Sequence, residues 1–498
     1  MVSIWDEKEG NKVAEKNLKG KVMSGLAWVF GERILAQLVS TVVTIVLARQ
    51  LTPEHYGTIS IVTVFITFFN VFVTSGFGSA LVQKKDANNL DFDTAFGLSF
   101  GMSWILYALL FFVAPAIAVF YEMPQLIPVL RVMGLRLPLA SINTVQRAYV
   151  QRAMNFKKFF LVTVGGTAVS GVIGVAMAYA GFGVWALVAQ YMSNTVFSTM
   201  FLFAVCTWRP KIRFSTASAK NIWGFGWKVL ATQLVATLQN DIRSLIVGKI
   251  FCPADLAYYD QGRKYPALLM TNISSSIDSV MLAAYSKEQE DRQRMLSMLR
   301  RSIRTGVYIL VPILLGFAAV SESFVKLLLT EKWLPAVPFM QVFAISFVTR
   351  PLESSSRQAL LAIGKGEAVL VVSTAINVVA LLGTLIAVFM FESVFAIALV
   401  TLATTLVSVV CYMSYSRYYL QYHFKMQLHD ILPSILIGMV MYATVQLIGL
   451  IQLNVWMILM AQILAGVAVY VGCSLIFKLE SFRYLIRMVQ GKRRHLQQ

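Results

Sequence analysis

Charge is scarce in this chain, and negative charge is scarcest: 13% of the 498 residues are charged, with 24 acids against 43 bases. An average soluble protein carries about twice that charged fraction. With 57% hydrophobic residues and a mean hydropathy of +0.68, a soluble fold is excluded. Cysteine is rare as well. Cys206, Cys252, Cys411 and Cys473 are scattered without a CxxC pair or disulfide-like spacing, so they read as space-filling residues. None of His55, His423, His429 and His495 has a second ligand at the i+3 or i+4 spacing of a zinc helix, so no metal and no other cofactor is expected. The period-two alternation of a membrane β-barrel is missing. So are a glycine-rich phosphate loop and any nucleophile–base spacing, and an enzyme is not expected.

What is present is a near-continuous alternation of apolar runs of roughly 20 residues with short polar breaks, the pattern of an all-α integral membrane protein. Helices are predicted to begin near Lys21, Gly57, Asp93, Gln125, Phe159, Phe182, Ile222, Leu256, Thr305, Val337, Val369, Ser393, Ile431 and Val455, about fourteen spans, or twelve if two pairs are misread. The net charge of +19 follows the alternation of the loops. Lys84, Lys157, Lys158, Arg209, Lys211, Arg213, Lys287 to Arg304 and Lys478 to Arg494 fall on one side, whereas the other side holds little beyond Arg49, Lys249, Lys326 and Lys332. By the positive-inside rule the first set is cytoplasmic, which places both termini inside the cell and assigns the charge to topology, with no nucleic acid as partner. Asp6, Glu7 and Glu9 precede the first apolar run and argue against a cleaved signal peptide.

The predicted organisation is an amphipathic cytoplasmic tail (1–20), a first six-span lobe (21–206), a basic linker (207–220), a second six-span lobe (221–418), two further helices (419–478) and a basic tail (479–498). Internal symmetry supports the two lobes. Arg33, Gln37, Ser40 and Thr44 fall at i, i+4, i+7 and i+11 on one helical face. Gln233, Thr237, Asn240 and Ser244 repeat those offsets 200 positions on, and the same shift aligns Pro53 with Pro253, Arg49 with Lys249 and Leu38 with Leu238. Two related halves that each present a polar helix outline a carrier with a cavity between them.

Nine bases fall in or near predicted spans: Arg33, Arg131, Arg136, Lys228, Arg243, Arg263, Lys264, Arg350 and Arg357. Facing lipid at mid-bilayer, each would cost about 3 kcal/mol, so a wet or paired setting is required. The bland alternative is snorkelling to headgroups, strongest for Arg131, Lys228 and Arg263. Polar faces recur beside prolines: Arg136, Asn143 and Arg147 near Pro138, Asp260 to Asp278 around Pro266, and Arg350, Glu353, Ser354 and Arg357 beside Pro351. The acids at comparable depth, Glu32, Asp241, Asp260, Asp278 and Glu353, are outnumbered. A net positive wet cavity favours an anion, and guanidinium groups favour phosphate. The candidate cavity residues are Arg33, Gln37, Arg136, Gln233, Asn240, Arg243, Arg350 and Arg357. Asp241, Asp278 and Glu32 are candidates for coupling to protons or Na⁺, with salt bridges to neighbouring bases as the structural alternative.

Five segments carry a resemblance: Leu47 to Gly57 (LARQLTPEHYG), Tyr149 to Phe159 (YVQRAMNFKKF), Ser244 to Tyr265 (SLIVGKIFCPADLAYYDQGRKY), Leu329 to Val337 (LTEKWLPAV) and Leu361 to Glu367 (LAIGKGE). Over about residues 20 to 425 the chain resembles the polysaccharide-transport branch of the multidrug/oligosaccharidyl-lipid/polysaccharide exporter superfamily, and within it the Wzx-type lipopolysaccharide, O-antigen and colanic-acid flippases; the LxPxxYG turn marks the branch. The resemblance implies two six-helix lobes in a V, two extra helices and alternating access. Its implied cargo is an undecaprenyl-pyrophosphate-linked oligosaccharide, carried to the outer leaflet of the bacterial inner membrane. It also implies membrane lipids and other enzymes of the export pathway as partners. Arg33 and Arg243 match cavity-facing bases of the family, and Asn240 with Asp241 match a recurrent polar pair. Cys252, where glycine is frequent, and Ile242-Arg243 beside the acid depart from the pattern. Two other functions stay open on the sequence: a cation-coupled multidrug exporter of the same fold, which would want an acidic cavity, and a membrane polysaccharide polymerase or glycosyl transferase, which would want large outer loops.

Overall fold

The computed structural model describes residues 31–487 apart from 85, 153–155, 212, 289–290 and 452–453. The predicted surface helix 1–20, the start of the first span at Lys21 and the basic tail from 488 lie outside the described residues, as does the side chain of Asp278. Every long regular element among the described residues is a helix. Each remaining predicted start falls on a helix or within two residues of one. Among the described residues, eleven helical stretches are long and apolar enough to cross a membrane.

The contacts divide the chain into two units, residues 1–254 and 255–498. The described part of the first holds α1 (Gly31–Gln50), α2 (Pro53–Thr74), α3 (Phe77–Gln83), α4 (Asn89–Phe120), α5 (Leu126–Gly134), α6 (Arg136–Arg152), α7 (Phe156–Tyr179), α8 (Val184–Val205) and α9 (Thr216–Ile250). Helix α2 starts where Thr52 caps, Pro53 presets the first turn and the Thr52 amide donates to His55 Nδ1 at 3.4 Å. The glycine of the LxPxxYG turn has a packing reason: a Cβ at Gly57 would overlap the Pro253 carbonyl. Helix α4 begins with a reciprocal cap, the Asp91 amide donating to Asn88 Oδ1 and the Asn88 amide to Asp91 Oδ2, both at 3.0 Å. Lys84 holds the same buried Asp91 carboxylate at 2.7 Å.

The division falls later than the basic linker 207–220 because that linker and α9 are strapped to the first unit. The Lys211 amide donates to Asp93 at 3.2 Å and the Ser215 amide to Thr94 Oγ1 at 3.1 Å. Farther along, Gly226 of α9 meets Gly76 between α2 and α3, so closely that a Cβ on Gly76 would lie 2.8 Å from the Gly226 carbonyl oxygen. Near its end the Tyr121 hydroxyl donates to the Leu245 carbonyl at 3.3 Å and Lys249 pairs with Glu122 at 2.9 Å.

The second unit holds α10 (Pro253–Lys287, whose first two residues belong to the first unit), α11 (Arg292–Phe324), α12 (Val337–Phe347), α13 (Arg350–Ala362), α14 (Gly366–Phe391), α15 (Val394–Leu420), α16 (Phe424–Gly449), α17 (Val455–Ile476) and α18 (480–487). One π-helical turn (Val325–Leu329) and a 3₁₀ turn (Glu331–Ala336) join α11 to α12 and bury Trp333 completely. Leu299, Ile303, Leu310 and Leu314 make α11 the centre of the apolar core. At one end of that core the fully buried Asp430 carboxylate accepts from Arg300 at 2.7 and 2.9 Å, from Arg304 at 2.6 Å and from the Tyr422 hydroxyl at 2.6 Å. Burial, then the bond to Asp430, raises the pKa of the Tyr422 hydroxyl and keeps it a donor.

Two predicted spans are broken in the middle. One breaks at Leu135 between α5 and α6, and the other at Val348 and Thr349 between α12 and α13. In each case an arginine, Arg136 or Arg350, opens the second segment, with a proline one or two residues on. Among the described residues, α8, α9 and α10 are not apolar enough to count as spans by composition. Gln190, Asn194 and Ser198 on α8, and the polar stripe on α9, are the reason.

Candidate functional site

A polar cavity of about 680 Å³ opens within the first unit among α2, α3, α6 and α8. Its size is that of a ligand cleft, about 300–1,000 Å³. Helix α6 supplies the charge. Arg136, Asn143, Thr144 and Arg147 all line it, because offsets of seven, eight and eleven return to one helical face. The break at Leu135 lets α6 start afresh, and Gly134 lets Tyr107 and Leu110 pack against it; a Cβ there would come within 2.9 Å of the Tyr107 ring. Arg136 donates from Nε to Thr195 Oγ1 at 3.1 Å and lies 5.3 Å from the Tyr191 ring centroid, which fixes its guanidinium in the cavity wall. Arg147 lies 6.0 Å from the Phe159 ring centroid. The α-carbons of the two arginines are about 16 Å apart along the helix axis, which puts one near each end of the cavity.

Amides complete the lining: Asn70, Gln83, Gln151 and Asn194 join Asn143, and none of the described lining residues is acidic. Asn194 is braced by its donation to Ser170 Oγ at 3.2 Å. Buried Asn143 Oδ1 has no hydrogen-bond partner among the described residues, an acceptor left open in the cavity wall. Glu32 on α1 acts electrostatically on Arg147, and its carboxylate also accepts from the Thr163 hydroxyl at 2.7 Å. Such a wall offers charge to an anion and hydrogen bonds to hydroxyl groups.

Of the residues singled out in the sequence, Arg136 lies in this lining, together with Asn143 and Arg147 of its polar face. The others lie elsewhere. Arg33 is exposed on α1, and Gln37 donates to Thr41 Oγ1 at 3.3 Å. Gln233 and Asn240 are exposed on α9, while Asp241 and Arg243 are half-buried there. In the second unit Arg350 pairs with buried Glu353 at 3.0 Å, and Arg357 acts on the same carboxylate, so these three form a local ion cluster. Arg131 donates to the Phe111 carbonyl at 3.3 Å and stacks on its ring at 4.1 Å. Asn70 and Thr74 on α2 and Asn194 and Ser198 on α8 carried no flag in the sequence, although each pair has the i, i+4 spacing of one helical face. Without a charge, such pairs are common helix–helix glue.

Residues 46–338 match a family described as polysaccharide biosynthesis protein. The chain belongs to this polysaccharide biosynthesis family. Two curated relatives are the succinoglycan biosynthesis transport protein ExoT of Rhizobium meliloti and the lipopolysaccharide biosynthesis protein WzxC of Escherichia coli. ExoT is 23% identical over 301 residues, 60% of this chain and 61% of ExoT. WzxC is 22% identical over 348 residues, 70% of this chain and 71% of WzxC. Among solved structures, the lipid II flippase MurJ in an inward closed conformation superposes with a TM-score of 0.74 at 14% identity, covering 93% of this chain and all of that one. The family member described here therefore has the MurJ fold, that of a multi-helix membrane transporter.

Proposed function

We propose that this chain is a flippase for a lipid-linked oligosaccharide, most simply an undecaprenyl-pyrophosphate-linked glycan, and that the arginine-lined cavity of the first unit receives the phosphorylated headgroup. One observation carries the reading: two guanidinium groups and five amides face a cavity with no carboxylate among its described lining residues. A pyrophosphate is drawn by the charge, and sugar hydroxyls exchange hydrogen bonds with water for bonds to the amides. On the topology implied by the basic loops, Arg147 stands about 8 Å and Arg136 about 24 Å from the cytoplasmic end of α6 at Arg152. The headgroup then meets Arg147 first and Arg136 near the middle of the bilayer. The succinoglycan transport relative and the lipopolysaccharide relative belong to pathways that need such a carrier.

For coupling to an ion, Glu32 is the candidate tied to this cavity. Adding a proton to its carboxylate would remove the negative charge that acts on Arg147, so protonation and anion binding favour each other. Glu32→Gln is then expected to bind undecaprenyl pyrophosphate at least as tightly as wild type and to lose its response to an imposed proton gradient in proteoliposomes. A gradient response that persists in Glu32→Gln would remove Glu32 from the role. A cationic-drug exporter would want acids in the lining, and the described lining residues include none. Export of an ethidium-like dye by cells that express the protein is accordingly not expected.

A further inference from the structure

Five arginines crowd a second hollow, of about 460 Å³, in the other unit: Arg300, Arg301 and Arg304 from α11, and Arg483 and Arg487 from α18. We propose that this hollow is a binding site for the phosphodiester headgroup of an anionic membrane lipid, a site independent of the flippase reading. The charge balance comes first. Asp430 and Glu480 are the only acids engaging the cluster among the described residues, and both are taken by Arg300 and Arg304. Arg301, Arg483 and Arg487 pair with no carboxylate among the described residues, which leaves the hollow with a surplus of positive charge. Its walls are also held in advance. Buried Asp430 fixes two guanidinium groups, and the Tyr484 ring lies 5.2 Å from that of Arg301, leaving the edge donors of Arg301 open. Arginines that merely snorkel would lack this bracing.

Position argues for a lipid over a free anion. The cluster sits where two membrane-length helices end, at the start of the apolar stretch of α11 and just after α17. Ile476 and Phe477, which lead into α18, are 75% and 68% exposed and suit acyl chains. Basic pockets at this level of transmembrane helices are the physical type of an anionic headgroup site.

The test uses the full-length protein in neutral detergent, titrated with phosphatidylglycerol or phosphatidylcholine, with retained lipid counted by native mass spectrometry. Phosphatidylglycerol should be retained over phosphatidylcholine. Arg301→Gln, Arg483→Gln and Arg487→Gln should each weaken its retention about fivefold without changing that of phosphatidylcholine. Arg483 and Arg487 are exposed, so these two single variants fold even if the combined variant does not. Equal retention of the two lipids, or single variants that retain phosphatidylglycerol like wild type, would overturn the proposal. Inorganic phosphate that displaces phosphatidylglycerol at equal concentration would overturn it too, since the site would then be one for a free anion.

Discussion

A methyl group at Gly57 would run into the Pro253 carbonyl, while the same methyl group would favour the helix there by about 1 kcal/mol. Overpacking of a closed contact costs about 1–3 kcal/mol, and here the obstacle is backbone, which cannot rotate away. Gly57→Ala should therefore lower the melting temperature in detergent, and Gly57→Val should lower it further; an unchanged or higher value for both would show that the contact yields. At Arg136 the decisive property is the fork of donors. A charged hydrogen bond contributes about 1.5–3 kcal/mol, so Arg136→Ala should weaken undecaprenyl pyrophosphate binding roughly tenfold or more, with Arg136→Lys in between. Isothermal titration with that lipid gives the comparison. That Arg136 shares a face with Asn143 and Arg147 was legible from their spacing, and the expense of burying a charge in a membrane argued for a polar setting. Asn70 and Asn194 were not legible, because an uncharged amide on an apolar helix looks the same whether it faces a neighbour or a cavity.

The elements hold together through a few polar joints at helix ends and through glycine contacts between helices. Asp430 is the clearest joint, tying α16 to α11 with three partners on one carboxylate. Removing one member of a buried ion pair costs about 3–5 kcal/mol, and the half-exposed arginines put this case near the lower figure. Asp430→Ala should lower the melting temperature by several degrees, more than Asp430→Asn, which keeps an acceptor; equal stability of all three proteins would mean that water replaces the carboxylate. Helix positions could be anticipated from apolar runs, whereas the spans beside Pro138 and Pro351 were expected as single helices with a polar face and are found broken. The attachment of α9 to the first unit could not. It rests on Gly76 against Gly226, Gly57 against Pro253 and the Lys211 and Ser215 amides, contacts between residues far apart in sequence that leave no local period.

Across the whole molecule each unit carries a broken span, α5–α6 in the first and α12–α13 in the second, each with an arginine after the break. The two arginines have diverged in setting. Arg136 lines the cavity and donates to the Thr195 hydroxyl, whereas Arg350 is paired with the Glu353 carboxylate. The two broken spans thus carry unequal electrostatics, and Arg350→Gln should weaken undecaprenyl pyrophosphate binding less than Arg136→Gln when the two are measured side by side. The direct measurement is movement of a fluorescent undecaprenyl-pyrophosphate-linked glycan across proteoliposome membranes containing the wild-type protein or the Arg136→Ala, Arg147→Ala double variant. The account predicts translocation by the wild type and its loss in a double variant that still elutes and melts as a folded protein. Translocation by that folded variant at the wild-type rate would contradict it.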